Sequence, residues 1–117
     1  MRKTKEVKRF ARWCFAQCGV PPCSIFYAPA KGLITDTTGH CFGCYYWDDT
    51  KHEPGQIFVA CRLSKWAVMS VIAHEIVHHM QHMERNLNTL DGEQCEDEAE
   101  KVCDKLLALW LIRGGKV

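Results

Sequence analysis

Apolar residues recur at helical spacing near the start of the chain. Val7, Phe10, Ala11, Cys14 and Phe15 share one side of a predicted amphipathic helix over Thr4–Gln17. Gly19 and the pair Pro21-Pro22 end it, because neither residue type continues a helix. Ser24–Ala28 is a short β-prone segment closed by Pro29, and residues 29–40 carry the Pro, Gly, Thr and Asp of a loop, with room for a brief strand at Leu33-Ile34. Cys41–Trp47 is rich in aromatics, and Gln56–Cys61 alternates around Ile57 and Val59. The polar stretch Asp48–Gly55 between them predicts a β-hairpin with a loop longer than two residues.

The second half of the chain reads as two helices. The first covers about 65–85, with Ser64 as N-cap and no Gly or Pro before Gly92. Val68, Val71, Ile72, Ile76, Val77 and Met80 make it apolar on nearly every side, which marks a buried helix. Residues 86–90 form a linker. Asp91 and Gln94 then supply a capping box for a last helix, which runs to about Arg113 and stops at Gly114-Gly115. Its apolar stripe is Cys95, Ala99, Val102, Cys103, Leu106, Leu109 and Trp110. The predicted fold is α+β: an N-terminal helix, a small mostly antiparallel sheet, and two C-terminal helices packed together.

Composition narrows the class. At 117 residues the chain fits one domain, and 47% hydrophobic with 25% charged residues excludes disorder as its general state. A net charge of +1 gives no argument for nucleic acid or an anionic membrane as partner. The basic run Arg2, Lys3, Lys5, Lys8, Arg9 and Arg12 is a solvated helix face. Phe10-Ala11-Arg12-Trp13 interrupts any signal-peptide core, and the longest apolar stretch, Trp66–Ala73, is far short of the ~20 residues that span a bilayer. The expectation is a soluble, cytoplasmic protein.

The eight cysteines have three readings: disulfides, a structural zinc site built from Cys41-x-x-Cys44 with Cys14-x-x-x-Cys18 or Cys23, and buried thiols. The absent signal argues against disulfides, and no second CxxC completes a four-thiolate set. Reduced thiols are therefore expected for most of them.

The chemistry sits in the buried helix. His74, Glu75 and His78 spell HExxH. Residues four apart lie one above the other, about 6 Å along the axis, so two imidazoles at that spacing converge on one ion. Glu75 points about 100° further round, where a carboxylate meets a water activated by zinc. Within an apolar helix, a His, a Glu and a second His are costly unless paired or metal-bound.

A third donor is needed. His82 lies about 12 Å beyond His74 along the axis, and His79 points off the His74/His78 face. The start of the last helix offers Glu93, Glu96, Asp97, Glu98 and Glu100. Glu96 borders the apolar stripe about 70° from its centre, with Glu100 one turn on. Glu98 flanks the other edge, Asp97 faces solvent, and Glu93 falls in the first turn, where the helix dipole alone explains an acid.

HExxH followed by Glu96-x-x-Ala99-Glu100 resembles the gluzincin metallopeptidases, above all the short minigluzincins, and is similar to ImmA/IrrE-type domains. The resemblance covers roughly residues 42–107. It implies a zincin-like fold with a hairpin before the metal helix and a Glu-x-x-Ala helix after it. It further implies Zn²⁺ held by His74, His78 and Glu96, Glu75 as general base, and Glu100 hydrogen-bonded to a ligand histidine. The link of 17 residues between His78 and Glu96 is short for the group, and the cysteines are not part of its pattern. Metzincins and SprT-like proteins require a later third His, and none follows His82.

The expected activity is hydrolysis of a peptide or protein substrate, with a zincin-fold binding or regulatory module as the alternative. Gln56–Cys61 is expected to be the sheet edge that receives the substrate. Tyr45, Tyr46 and His79 are the candidates for oxyanion stabilisation.

Overall fold

The computed structural model describes residues 2–35, 39–48, 53–84 and 92–115. Its elements are α1 (Arg2–Cys18), β1 (Ser24–Ala28), β2 (Leu33–Thr35), β3 (Gly39–Cys41), β4 (Gly43–Tyr46), β5 (Gln56–Ala60), α2 (Lys65–Glu84) and α3 (Gly92–Ile112). Local chemistry sets several of their ends. Ser64 caps α2, its Oγ accepting from the Ala67 N–H at 3.2 Å. α1 ends where Gly19 turns to φ 67°, and α3 where Gly114 and Gly115 turn to 66° and 74°. Each turn closes a Schellman pair: Val20 N–H to Phe15 O (3.2 Å) with Gly19 N–H to Ala16 O (3.1 Å), and Gly115 N–H to Trp110 O (3.1 Å) with Gly114 N–H to Leu111 O (3.0 Å). The expected linker 86–90 and the Asp91 cap lie outside the described residues.

The three helices share one core. α2 contributes Val68, Met69, Ile72, Ala73, Ile76 and Val77, all essentially without exposed surface. α1 meets it with Val7, Phe10, Ala11, Cys14 and Phe15, as its periodicity predicts, and adds Trp13. α3 buries Cys95, Ala99, Cys103, Leu106 and Trp110, every third or fourth residue. Leu109 was expected on that stripe but is 41% exposed, since it sits about 100° round from Trp110. Phe10 and Trp13 each stand 5.3 Å from the Trp110 ring. The Glu6 carboxylate ties the helices together, accepting from Lys65 Nζ at 3.0 Å and from Trp110 Nε1 at 3.4 Å. Lys65 accordingly holds the Glu6 carboxyl below its ordinary value.

The sheet departs from expectation in two ways. It has the order β1-β5-β4, with β4 antiparallel to β5 as the hairpin reading requires, but with β1 parallel to β5 from Ser24↔Gln56 to Ala28↔Ala60. The sheet is therefore mixed, not mostly antiparallel. The long connection from β1 through β4 gives the chain the length a parallel return needs. β5 is consequently the central strand, so the expectation that Gln56–Cys61 forms the substrate-receiving edge is wrong: both its sides are already paired. The predicted strand Cys41–Trp47 also divides at Phe42, because Cys41 belongs to β3, which pairs with β2 in a separate two-stranded ribbon.

β4 lies close against α2 because residue 43 is glycine. A Cβ there would overlap Val71 Cγ1 and stand 3.4 Å from Glu75 Cγ. Among the described residues, no helix is long and apolar enough to cross a membrane.

Candidate metal centre

The α-helical pitch brings His74 and His78 together on α2. Their rings stand edge to face with centroids 4.8 Å apart, and their Nε2 atoms face each other at 3.2 Å. From α3, Glu96 reaches both: Oε2 lies 3.1 Å from His74 Nε2, and Oε1 lies 2.9 Å from His78 Nε2. Donor atoms on a tetrahedral ion with bonds of about 2.0–2.1 Å stand about 3.3 Å apart. The observed separations lie close to that value.

The donors also point the right way. His74 turns Nδ1 outward, 3.4 Å from Glu100 Oε1, which leaves Nε2 facing the cluster. Two imidazole nitrogens and a carboxylate then converge, a group that could hold a metal ion. The His74 and His78 side chains are 18% and 15% exposed while Glu96 is 59% exposed, so the cluster opens to solvent on its α3 side. Among the described residues it is the one group of three or more His, Cys, Asp or Glu side chains with this convergence. The chain matches no protein-family model, no curated protein and no solved structure.

Glu75 lies one step along α2, 8% exposed, with the β4 backbone at Gly43 beside it. Burial pushes its carboxyl up to about 7, His78 draws it partly back, and Glu96 raises it again. A group with that proton affinity can both accept and return a proton near neutral pH.

The other acids of α3 separate by position. Glu98 accepts a hydrogen bond from Gln81 Nε2 at 3.1 Å, and Glu93 is exposed in the first turn; neither belongs to the converging group. Gln81 is the site residue that sequence reasoning missed. It has no exposed surface, and its Oε1 lies 2.8 Å from His78 Nδ1. A polar side chain one turn from a motif histidine, on a helix read as wholly buried, was the available signal.

The histidines beyond the motif belong to a different network. His79 is fully buried, with Nε2–H donating to Pro21 O at 2.7 Å and Nδ1 at 2.9 Å from the Tyr45 hydroxyl. Burial lowers its pKa and favours the neutral ring. Tyr45 also meets His82 Nδ1 at 2.8 Å and accepts from the Gly55 N–H at 2.9 Å, while its ring stacks on Trp47. Of the three oxyanion candidates, Tyr45 and His79 are thus engaged with each other. Tyr46 packs edge-on against Phe58.

All eight cysteines are free thiols, with Cys14, Cys95 and Cys103 buried. Among the described residues Cys41 and Cys44 belong to no converging group of three or more donors, so the structural zinc set with Cys14, Cys18 or Cys23 does not assemble. Burial pushes Cys18 and Cys23 up to about 11, which suits inert thiols.

Proposed function

We propose that this α+β chain is a zincin-like, zinc-dependent peptidase in which His74, His78 and Glu96 hold the ion. The observation that carries the reading is the convergence of two Nε2 atoms and one carboxylate at 2.9–3.2 Å, with the buried Glu75 alongside. Two imidazoles and one carboxylate form a donor set that suits zinc, and three protein donors leave a fourth position open. Zinc bound there supplies a Lewis acid that acidifies water and polarises a carbonyl oxygen.

The chain's own residues do the rest. Glu75 takes the proton from the attacking water and hands it to the departing amide nitrogen. Its burial keeps proton affinity high, and a nearby cation tempers that effect. Glu100 orients His74 through Nδ1. The strand beside Glu75 at the sheet edge is β4, and an extended substrate adds there in line with Gly43. Free thiols suit a reducing, cytoplasmic setting.

The test pairs zinc content with cleavage of a denatured-proteome peptide library. Wild type is expected to bind one equivalent of zinc and to cleave, and Glu75→Gln to keep the zinc and lose at least about 100-fold in rate. Silence of the fully zinc-loaded wild type against the whole library would favour the binding-module alternative. Equal cleavage by the zinc-loaded Gln variant would refute the role given to Glu75.

A further inference from the structure

Gln81 has no exposed surface and sits between α2 and α3. One end of its amide lies 3.0 Å from Cys95 O and 3.1 Å from Glu98 Oε1; the other lies 2.8 Å from His78 Nδ1. The carbonyl and the carboxylate are both acceptors, so the end that faces them is the NH₂ group. This leaves Oε1, which can only accept, against the histidine. His78 Nδ1 therefore carries a ring proton and donates it to Gln81, which turns Nε2 towards Glu96 Oε1 at 2.9 Å and His74 Nε2 at 3.2 Å.

The next residue is turned the other way by its partners. His79 donates through Nε2 to Pro21 O and leaves Nδ1 to the Tyr45 hydroxyl. Two adjacent histidines on one helix thus meet fixed acceptors through opposite ring nitrogens, Nδ1 in His78 and Nε2 in His79.

Resting on the metal reading above, we propose that Gln81 is the positioning residue that makes His78 a competent ligand only when α3 is docked. The first turns of α3 supply the third ligand, Glu96, and both anchors of Gln81, the Cys95 carbonyl and Glu98. Without α3, the Gln81 amide is free to rotate, and His78 loses the fixed acceptor that aims Nε2 at the site. Docking of the two helices sets the third ligand and the aim of His78 together.

The first measurement needs no metal. Nitrogen NMR at alkaline pH of the metal-free E96A variant, which removes the competing carboxylate at Nε2, is expected to show His78 as the single Nδ1–H tautomer; an Nε2–H signal overturns the proposal. The second compares zinc affinity by chelator competition in wild type, Q81M and the polarity swap Q81E/E98Q. Q81M is expected to lose about 10–100-fold in zinc affinity and, in the E96A background, the single tautomer. The swap keeps an acceptor opposite His78 and puts a donor on α3, but it sets a carboxylate oxygen against the Cys95 carbonyl, so it is expected to keep more of the zinc affinity than Q81M while losing thermal stability.

Unchanged affinity in Q81M overturns the proposal. So does an equal loss in Q81M and the swap that simply follows their thermal stabilities, which marks a packing role. A wild type that binds no zinc, with the Nδ1–H tautomer seen in E96A, overturns the metal reading and the ligand half of the proposal, while leaving the role of Gln81 at His78 Nδ1 standing.

Discussion

Replacing the buried Glu75 should make the metal-free protein more stable, and the gain should depend on pH. Burial raises the Glu75 carboxyl from its ordinary 4.5 to about 7. Between those values the folded protein holds a proton that the unfolded chain has released, so folding stability falls as pH rises through the window. At about 1.4 kcal/mol per pH unit, the loss is roughly 3 kcal/mol, complete above about pH 7. That is a sizeable share of the 5–15 kcal/mol typical of a small domain. Glu75→Gln removes the titration.

A buried amide also brings hydrogen-bonding demands of its own, but these do not vary with pH. The diagnostic is therefore the change with pH. Urea unfolding in the presence of a chelator should show the difference between variant and wild type growing in the variant's favour by roughly 3 kcal/mol from about pH 4.5 to pH 8. Saturating zinc should shrink that growth, because a dication favours the charged carboxylate. A difference that stays flat across the range in the metal-free proteins would refute the argument that burial of Glu75 is costly.

Three further outcomes follow from the geometry. Among Glu96→Ala, Glu98→Ala and Glu93→Ala, measured side by side for zinc content, the first should lose the metal. The second should keep most of it, because the Cys95 carbonyl still anchors Gln81, and the third should match wild type; full zinc in Glu96→Ala with loss in another would overturn the assignment. Gly43→Ala forces a methyl into Val71 and should destabilise by about 1–3 kcal/mol in chemical unfolding while slowing any peptide cleavage that uses β4; an unchanged midpoint would show that β4 can move aside. Tyr45→Phe removes the hydroxyl that meets the Gly55 N–H and His79 Nδ1, and should cost about 1–3 kcal/mol with zinc affinity retained; a drop in affinity would tie that network to the metal site.

What could be read from the chain was what local chemistry decides. The Ser64 cap, the glycine stops at 19 and 114, and the spacing of His74 to His78 depend on residues within a turn or two of one another. Glu96 emerged from wheel position because the face that buries Cys95 and Ala99 must also face α2. What stayed hidden depends on partners distant in sequence. β-prone residues mark Ser24–Ala28 as a strand and alternation marks Gln56–Cys61, but nothing in either says that they pair in parallel, and the assumption of a plain hairpin put β5 at an edge. Gln81 looked like an ordinary polar helix residue because its meaning comes from a backbone carbonyl at Cys95 and a carboxylate at Glu98. Tyr45 and His79 were drawn towards the chemistry by residue type, and their mutual hydrogen bond became visible only when strand and helix were brought together.

Two of the converging donors belong to α2 and the third to α3, so an ion held among them is also a cross-link between helices whose connecting residues, 85–91, lie outside the described structure. Such a cross-link responds to supply. At a free-metal concentration 100 times its dissociation constant it adds about 2.7 kcal/mol to folding, and at a concentration well below that constant it adds nothing. Opening of α3 away from α2 would then be governed by the metal level of the surroundings. Hydrogen exchange along Gly92–Ile112 would register zinc depletion before any substrate did. Starvation for metal would thus empty the site and loosen the helix that carries its third donor in a single event.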